Sequence, residues 1–408
     1  MVRGEERTDG FFVRNKSALS MGLAALVIAG TADLVAGFFM VSMEEYILMV
    51  PGMMVLIYAA IGMRGNIFGA MGSRLGTAMH IGTFQMTFRK KSVLRSNVEA
   101  AMALTLAMSV LMALIGWVVV WMLFDSTYDF LKFMFISTFG GLLAGVLVLV
   151  VNIAVAYIGY KRNWDVDNIT APLIAAAGDV ITVPMIYVAT LMAVNLDDAL
   201  TQIGAVVLVV LTVLMVARIV TRKSKRKRKK DEAKRIIVES MPVLLGCVFL
   251  ELATGVLIEH QEERFIEYAV LLLMMTAFLN EGNALSGMLT SRISSMFHMG
   301  TMPRTRFPPR ETLDNYAIMY LLALVTFLYI MGIAYLCQPD DLGFLTLLAI
   351  VMIAALIITT VINFLSYYVA LAALRFRLDP DDHCIPITSS LMDVISTVVL
   401  VGVIMVFI

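Results

Sequence analysis

Four carboxylates interrupt segments of this chain that are otherwise apolar, and they come in two related pairs. Asp33 and Glu251 stand 218 residues apart, and Asp179 and Asp393 stand 214 apart. An ionisable group at bilayer depth is costly, and by default it marks an ion or substrate path. The bland alternative is an acid at a helix end reaching water, or a carboxyl buried in its neutral form. Asp179 lies two turns past Pro172 in an apolar stretch with no cation nearby, and Asp393 follows Pro386 in the same way. Gly65-Asn66 and Gly282-Asn283 fall in two further apolar segments. There they are expected to weaken the helix and expose backbone carbonyls, which a bilayer tolerates only where they line a polar cavity. Carboxylates, carbonyls and Asn side chains are the ligands of hard divalent cations such as Mg²⁺ and Ca²⁺. Zinc or copper would call for Cys and His clusters, but Cys247, Cys337 and Cys384 are scattered. The 31 methionines read as flexible packing, with a Met-lined metal path as the alternative.

The elements that must position these groups follow from composition. Of 408 residues, 60% are hydrophobic and 15% charged, and the mean hydropathy is +0.88. Soluble domains carry roughly a quarter charged residues, so the chain reads as an all-α polytopic membrane protein. No segment outside the apolar runs is long enough for a folded soluble domain, and no removable signal peptide is evident. A spanning helix needs about 20 apolar residues. That rule gives eleven spans: 17–42, 50–82, 99–124, 130–160, 171–194, 199–220, 240–258, 266–300, 313–336, 342–374 and 385–408. The second and eighth are long and contain the Gly-Asn steps, so each is expected to break into a helix pair. Basic residues collect in alternate loops, around Arg89–Arg95, Lys161-Arg162, Arg218–Arg235, Arg304–Arg310 and Arg375–Arg377. The other loops are acidic, as in "SMEE", "FDSTYD", "NLDD", "EHQEER" and "CQPDD". This asymmetry predicts a cytoplasmic N-terminus and an extracellular C-terminus in the cell (plasma) membrane.

Self-similarity sets the architecture. Ser73-Arg74, His80 and Gly82 recur at Ser291-Arg292, His298 and Gly300, and Gly37 recurs at Gly255. "DVDNITAPLIAAAGDVIT" at 165–182 returns as "DPDDHCIPITSSLMDVIS" at 379–396. Each repeat holds five spans, an odd number, so direct fusion would invert the second copy, as in many transporters. The sixth span brings the chain back first. Two parallel five-helix repeats joined by a linking transmembrane helix are therefore expected, related by a pseudo-twofold along the membrane normal. The divisions are a cytoplasmic segment (1–16), a first repeat (17–194), a linking helix with basic linker (195–239) and a second repeat (240–408). A single chain would then act as a pseudo-dimer.

Other polar residues admit two readings each. Asp165, Asp167 and Asn168, with Asp379, Asp381 and Asp382, either gather cations at cytoplasmic mouths or cap the Pro-led helices that follow. Arg74 and Arg292 either snorkel to the interface or gate the path. His80 and His298 read as interface histidines or as ligands. Arg64 and Glu281 occupy equivalent positions with opposite charge, and a pair across the pseudo-axis is expected. The run "RKSKRKRKKDEAKR" at 222–235 reads as a topology anchor touching anionic lipid headgroups, and no groove-reading element accompanies it to suggest nucleic acid.

Taken together, the "G-N…S-R-L…H-I-G" and "D-x-D-N-I-T-x-P-L…G-D-V-I-T" patterns resemble the membrane domain of MgtE. They are also similar to the solute carrier family 41 magnesium transporters, and the resemblance covers essentially the whole chain in two copies. It implies two five-helix domains around a central Mg²⁺ pore, with a fifth-helix aspartate at the ion site. That role falls on Asp179 and Asp393, with Asp33 and Glu251 as second members, and Asn66, Asn283, Gly65 and Gly282 beside them. Mg²⁺ is then the substrate ion, no organic cofactor is implied, and no enzyme activity follows. The cytosolic N and CBS domains of the bacterial family have no counterpart in these 408 residues, so their regulation is not carried over. Alternatives are transport of Co²⁺ or Mn²⁺, Na⁺-coupled Mg²⁺ exchange, or remotely an intramembrane aspartyl protease. The protease would need a Gly-flanked aspartate pair, and "GDV" at 178–180 is matched by "MDV" at 392–394.

Overall fold

The computed structural model describes residues 11–89, 92–162, 166–222, 231–339, 342–376 and 385–408. Among these the secondary structure is helical. The first part runs α1 (Phe11–Ser42), α2 (Glu44–Met49), α3 (Met53–His80), α4 (Val93–Phe124), α5 (Phe130–Arg162), α6 (Val166–Asn195) and α7 (Asp198–Val220). The second runs α8 (Glu232–Glu259), α9 (Glu262–Glu267), α10 (Ala269–Met299), α11 (Leu313–Cys337), α12 (Phe344–Phe376) and α13 (Ile385–Phe407). Among the described residues, eleven of these helices are long and apolar enough to cross a membrane, and they match the eleven expected spans. The short helices α2 and α9 sit at equivalent places in the two halves.

Packing repeats with the sequence. α1 lies on α10 as α8 lies on α3; α1 meets α6 as α8 meets α13; α3 meets α6 as α10 meets α13. The first helix of each half therefore packs on the second spanning helix of the other half, which interlocks the two. Glycine permits the crossing. A Cβ on Gly37 would fall on the carbonyl of Leu273, and one on Gly255 would fall on the backbone of Val55, its repeat equivalent.

Two expectations fail here. α3 and α10 are continuous helices, not broken pairs. A mid-helix glycine costs only about 1 kcal/mol, and both helices are packed along their length, so the Gly-Asn steps do not free backbone carbonyls. α4 also begins six residues before its expected span, because Ser92 accepts the N–H of Arg95 at 3.3 Å and caps a polar first turn.

α7 lies at the periphery, against α5 with lesser contacts to α4 and α8. It is pinned at both ends: Lys132 pairs with Asp198 at 2.6 Å and Arg222 with Glu99 at 2.9 Å. At the acidic-loop end a one-sided tie joins the halves. Glu259, the last residue of α8, accepts the N–H groups of Gly52 (2.5 Å) and Met54 (3.0 Å) at the start of α3. It caps a helix of the other half, satisfying orphan donors and facing the positive helix terminus. Glu259→Gln should cost about 1–2 kcal/mol, read as a lowered thermal unfolding midpoint in detergent.

Nearby, burial and the carboxylates of Glu259 and Glu263 push Glu262 from 4.5 up to about 7. Between those values the folded chain holds a proton that the unfolded chain has released. Stability contributed by this group thus falls as pH rises from about 4.5 to 7. Glu262→Gln should flatten that slope when unfolding is followed across the same range.

Candidate functional site

Where α1, α3, α6, α8, α10 and α13 meet, four carboxylates are buried: Asp33 is 2% exposed, Asp179 3%, Glu251 1% and Asp393 6%. They form two pairs, each within one half. Asp33 of α1 contacts Asp179 of α6, and Glu251 of α8 contacts Asp393 of α13. Asp179 also lies within electrostatic reach of Asp393. The four thus face a common centre, as the repeat requires.

Each pair is held by amides and hydroxyls. The Asn280 side-chain amide of α10 donates to Asp179 across the interface between halves. Asn283, one turn on, donates to Asp393 Oδ1 at 2.8 Å. Glu251 Oε1 accepts from Ser390 Oγ at 2.5 Å; that Oγ accepts from Asn66 Nδ2 at 2.9 Å; Asn66 Oδ1 accepts from Ser389 Oγ at 2.8 Å. Asn66 is consumed at both ends by this relay and positions Glu251 through Ser390. Gly62 of α3 makes room, since a Cβ there would land on the Glu251 carboxyl. The oxygens left without a protein partner include Asp33 Oδ1 and Asn283 Oδ1.

Gly65 has open space where a Cβ would stand, whereas Gly282 abuts Ser396. Arg74 donates from Nε to Asn97 Oδ1 at 2.9 Å and borders a small cavity with Asn66, Ser240 and Pro386. Arg292 is half-buried in the last turns of α10. Asp165, Asp379, Asp381 and Asp382 lie outside the described residues; Asp167 and Asn168 fall in α6 with their side chains undescribed, as are those of His80 and His298. The expected Arg64–Glu281 pair is absent. Arg64 donates from Nη1 to Ala60 O at 2.8 Å and reaches toward Gly141 of α5. Glu281 instead faces Gly30 of α1 and Thr326 of α11. The cross-packing of α1 on α10 and α8 on α3 turns the two side chains to opposite flanks. Asn280, Ser389 and Ser390 escaped the sequence reading. At the 218 offset that relates Val55 to Leu273, Asn280 pairs in the repeat with Gly62, so self-similarity carried no signal for it.

Along α3 every residue from Gly52 to Ile61 is buried, and along α10 every residue from Val270 to Leu279. Partial exposure starts at Gly62 and Asn280, level with the carboxylates, and recurs toward the basic-loop end at Gly65, Gly69, Asn283 and Gly287. The acidic-loop half of the centre is thus closely packed, and partial exposure is confined to the other half. Among the described residues no three His, Cys, Asp or Glu side chains are placed to enclose a metal ion. Carboxylates in twos, with amide and hydroxyl oxygens around them, suit a hard cation that keeps several of its waters.

Two curated relatives align across most of the chain. Solute carrier family 41 member 3 of Mus musculus is 22% identical over 374 residues, covering 85% of this chain and 74% of the relative. The Rattus norvegicus protein of the same name is 20% identical over 395 residues, covering 91% and 83%. No solved structure matches. The family model for MgtE, described as a divalent cation transporter, matches twice, at residues 57–190 and 275–403. These two matches cover most of α3–α6 and α10–α13, the helices that supply Asp179, Asp393 and their amide partners, and the chain therefore belongs to the MgtE family of divalent cation transporters.

Proposed function

We propose that this protein carries Mg²⁺ across the plasma membrane along a central path between its two halves, as a single-chain pseudo-dimer. The observation that carries this reading is the meeting of two buried carboxylate pairs at the level where the closely packed outer part of the core gives way to partly exposed residues. A doubly charged ion offsets the mutual repulsion of acids brought together in low dielectric. Mg²⁺ sheds water reluctantly, and paired carboxylates backed by amides hold a hydrated ion without stripping it. The basic-loop end faces the cytoplasm under the positive-inside rule. The partly exposed half then leads inward past Arg74 and Arg292, and the closely packed half closes the outer side. Asp179 and Asp393 take the central role, Asp33 and Glu251 support them, and Asn283 offers a further oxygen.

The test is Mg²⁺ uptake into liposomes holding the purified full chain, followed with an entrapped indicator. Saturable uptake above protein-free liposomes is expected. Competition by Co²⁺ and Mn²⁺ ranks the ions, and dependence on an imposed Na⁺ gradient separates a passive path from exchange. Uptake no faster than in protein-free liposomes would reject the reading.

A further inference from the structure

We propose that the first half holds a small monovalent anion, of chloride size, against Arg64 between α3, α4 and α5 and away from the cation path. Arg64 is 2% exposed and, among the described residues, the only buried Lys, Arg or His. It follows Gly62 by two residues, which turns it about 200° around α3, away from the Glu251 carboxyl that Gly62 meets. Its guanidinium lies against α4 and α5 instead. A Cβ on Gly141 would fall on Ser109 Oγ and stand 3.4 Å from Arg64 Nη2.

Nothing in the protein balances this charge. No carboxylate among the described residues forms an ion pair with Arg64, and burial is the one influence on it. Nη1 donates to Ala60 O at 2.8 Å, and Nε has no protein acceptor. Ser109 Oγ and, one turn away on α4, Thr105 Oγ1 are also buried without a protein partner. Helical Ser and Thr commonly bond the carbonyl one turn back, as Thr138, Thr182 and Thr190 do at 2.7, 2.6 and 2.9 Å. A buried charge without a counter-charge is costly, and so is a buried donor without an acceptor. Here both occur at one place.

The fold does not require this arrangement. Asn152 donates to Phe68 O as Ser366 does to Ser286 O, which fixes the repeat offset at 214 in α5 and 218 in α3. On that register Arg64 corresponds to Gly282, Ala60 to Phe278 and Gly141 to Ala355; Ser109, at the same 218, corresponds to Phe327. Phe278 and Phe327 are fully buried with ring centroids 4.7 Å apart. The second half thus closes this junction with two rings, and the first half exchanges them for one guanidinium, a hydroxyl and a glycine.

The chemistry selects the ligand. A water satisfies the donors and leaves the charge unbalanced. A doubly charged oxyanion such as sulfate carries more charge than one guanidinium offsets. A halide accepts from Nε–H and from the Ser109 hydroxyl together and matches the single positive charge.

The experiment uses the purified full chain in detergent, with chloride exchanged for gluconate at constant ionic strength and pH. Equilibrium dialysis with radioactive chloride should find one ion per chain, and chloride should raise the unfolding midpoint by about 3 °C. Ser109→Ala should weaken binding about tenfold. Arg64→Gly combined with Ala60→Phe and Ser109→Phe rebuilds the packing of the second half, and it should fold, bind no chloride and unfold at one midpoint in both salts. A wild type that binds no chloride overturns the inference, as does wild-type affinity in Ser109→Ala or an equal chloride effect on the rebuilt chain. Neither measurement involves Mg²⁺, so the outcome is independent of the transport reading.

Discussion

Combining Asp179→Asn with Asp393→Asn should lower divalent uptake by about a hundredfold or more, while the chain remains at least as stable as the wild type. The expected direction for stability is the unusual part. Asn keeps the shape of each side chain and can still meet the amides of Asn280 and Asn283, which lie against Asp179 and Asp393. It removes two acids from a buried cluster of four. Charge crowding of that kind destabilises the ion-free protein, and binding sites commonly keep such a cost for function. The cation, in contrast, loses two of its nearest counter-charges. At 4 Å and an effective dielectric of about 20, a single unit-charge pair is worth about 4 kcal/mol, ample for a hundredfold loss. Uptake and thermal unfolding measured on one preparation separate site loss from misfolding. Unchanged uptake would remove these aspartates from the path, and a large fall in the unfolding midpoint would mark them as structural.

The second large effect is expected at the crossings. Gly37→Ala and Gly255→Ala each place a methyl group on backbone of the helix opposite, at Leu273 and Val55. Backbone cannot swing aside as a side-chain tip can, so α1 must lift from α10, or α8 from α3. Overpacking a core by one methyl costs about 1–3 kcal/mol where side chains can relax, and here the cost should reach the top of that range or exceed it. Because α1 and α8 carry Asp33 and Glu251, uptake should fall together with the unfolding midpoint. Gly332→Ala and Gly402→Ala, where a Cβ meets open space, are the matched controls and should leave both unchanged.

Much of this was legible in the amino-acid order, for definable reasons. Hydropathy is a local property, so the eleven spans stood out, including the peripheral α7 between the repeats. The four buried acids were legible because a carboxylate in an apolar run has few innocent explanations; their recurrence related Asp33 to Glu251 and Asp179 to Asp393, whereas the contacts run within each half, Asp33 to Asp179 and Glu251 to Asp393. What escaped depends on helix rotation and on neighbours from the other half. Whether Asn66 or Asn280 meets Asp179 is decided by how α3 and α10 are turned, and an offset cannot report that. The capping of α3 by Glu259 joins residues 207 and 205 positions apart and occurs once, so no periodicity announces it.

By itself, then, the sequence determined the spans, their two-fold repetition and the acids that belong at the centre, because each is written in local composition or in self-similarity. Only the tertiary structure decided that the Gly-Asn helices run unbroken, that Arg64 and Glu281 turn apart, and that Asn66 serves Glu251 through Ser390. In each case packing across the interface between halves outweighs a local preference of about a kcal/mol, and that interface exists only once the chain has folded.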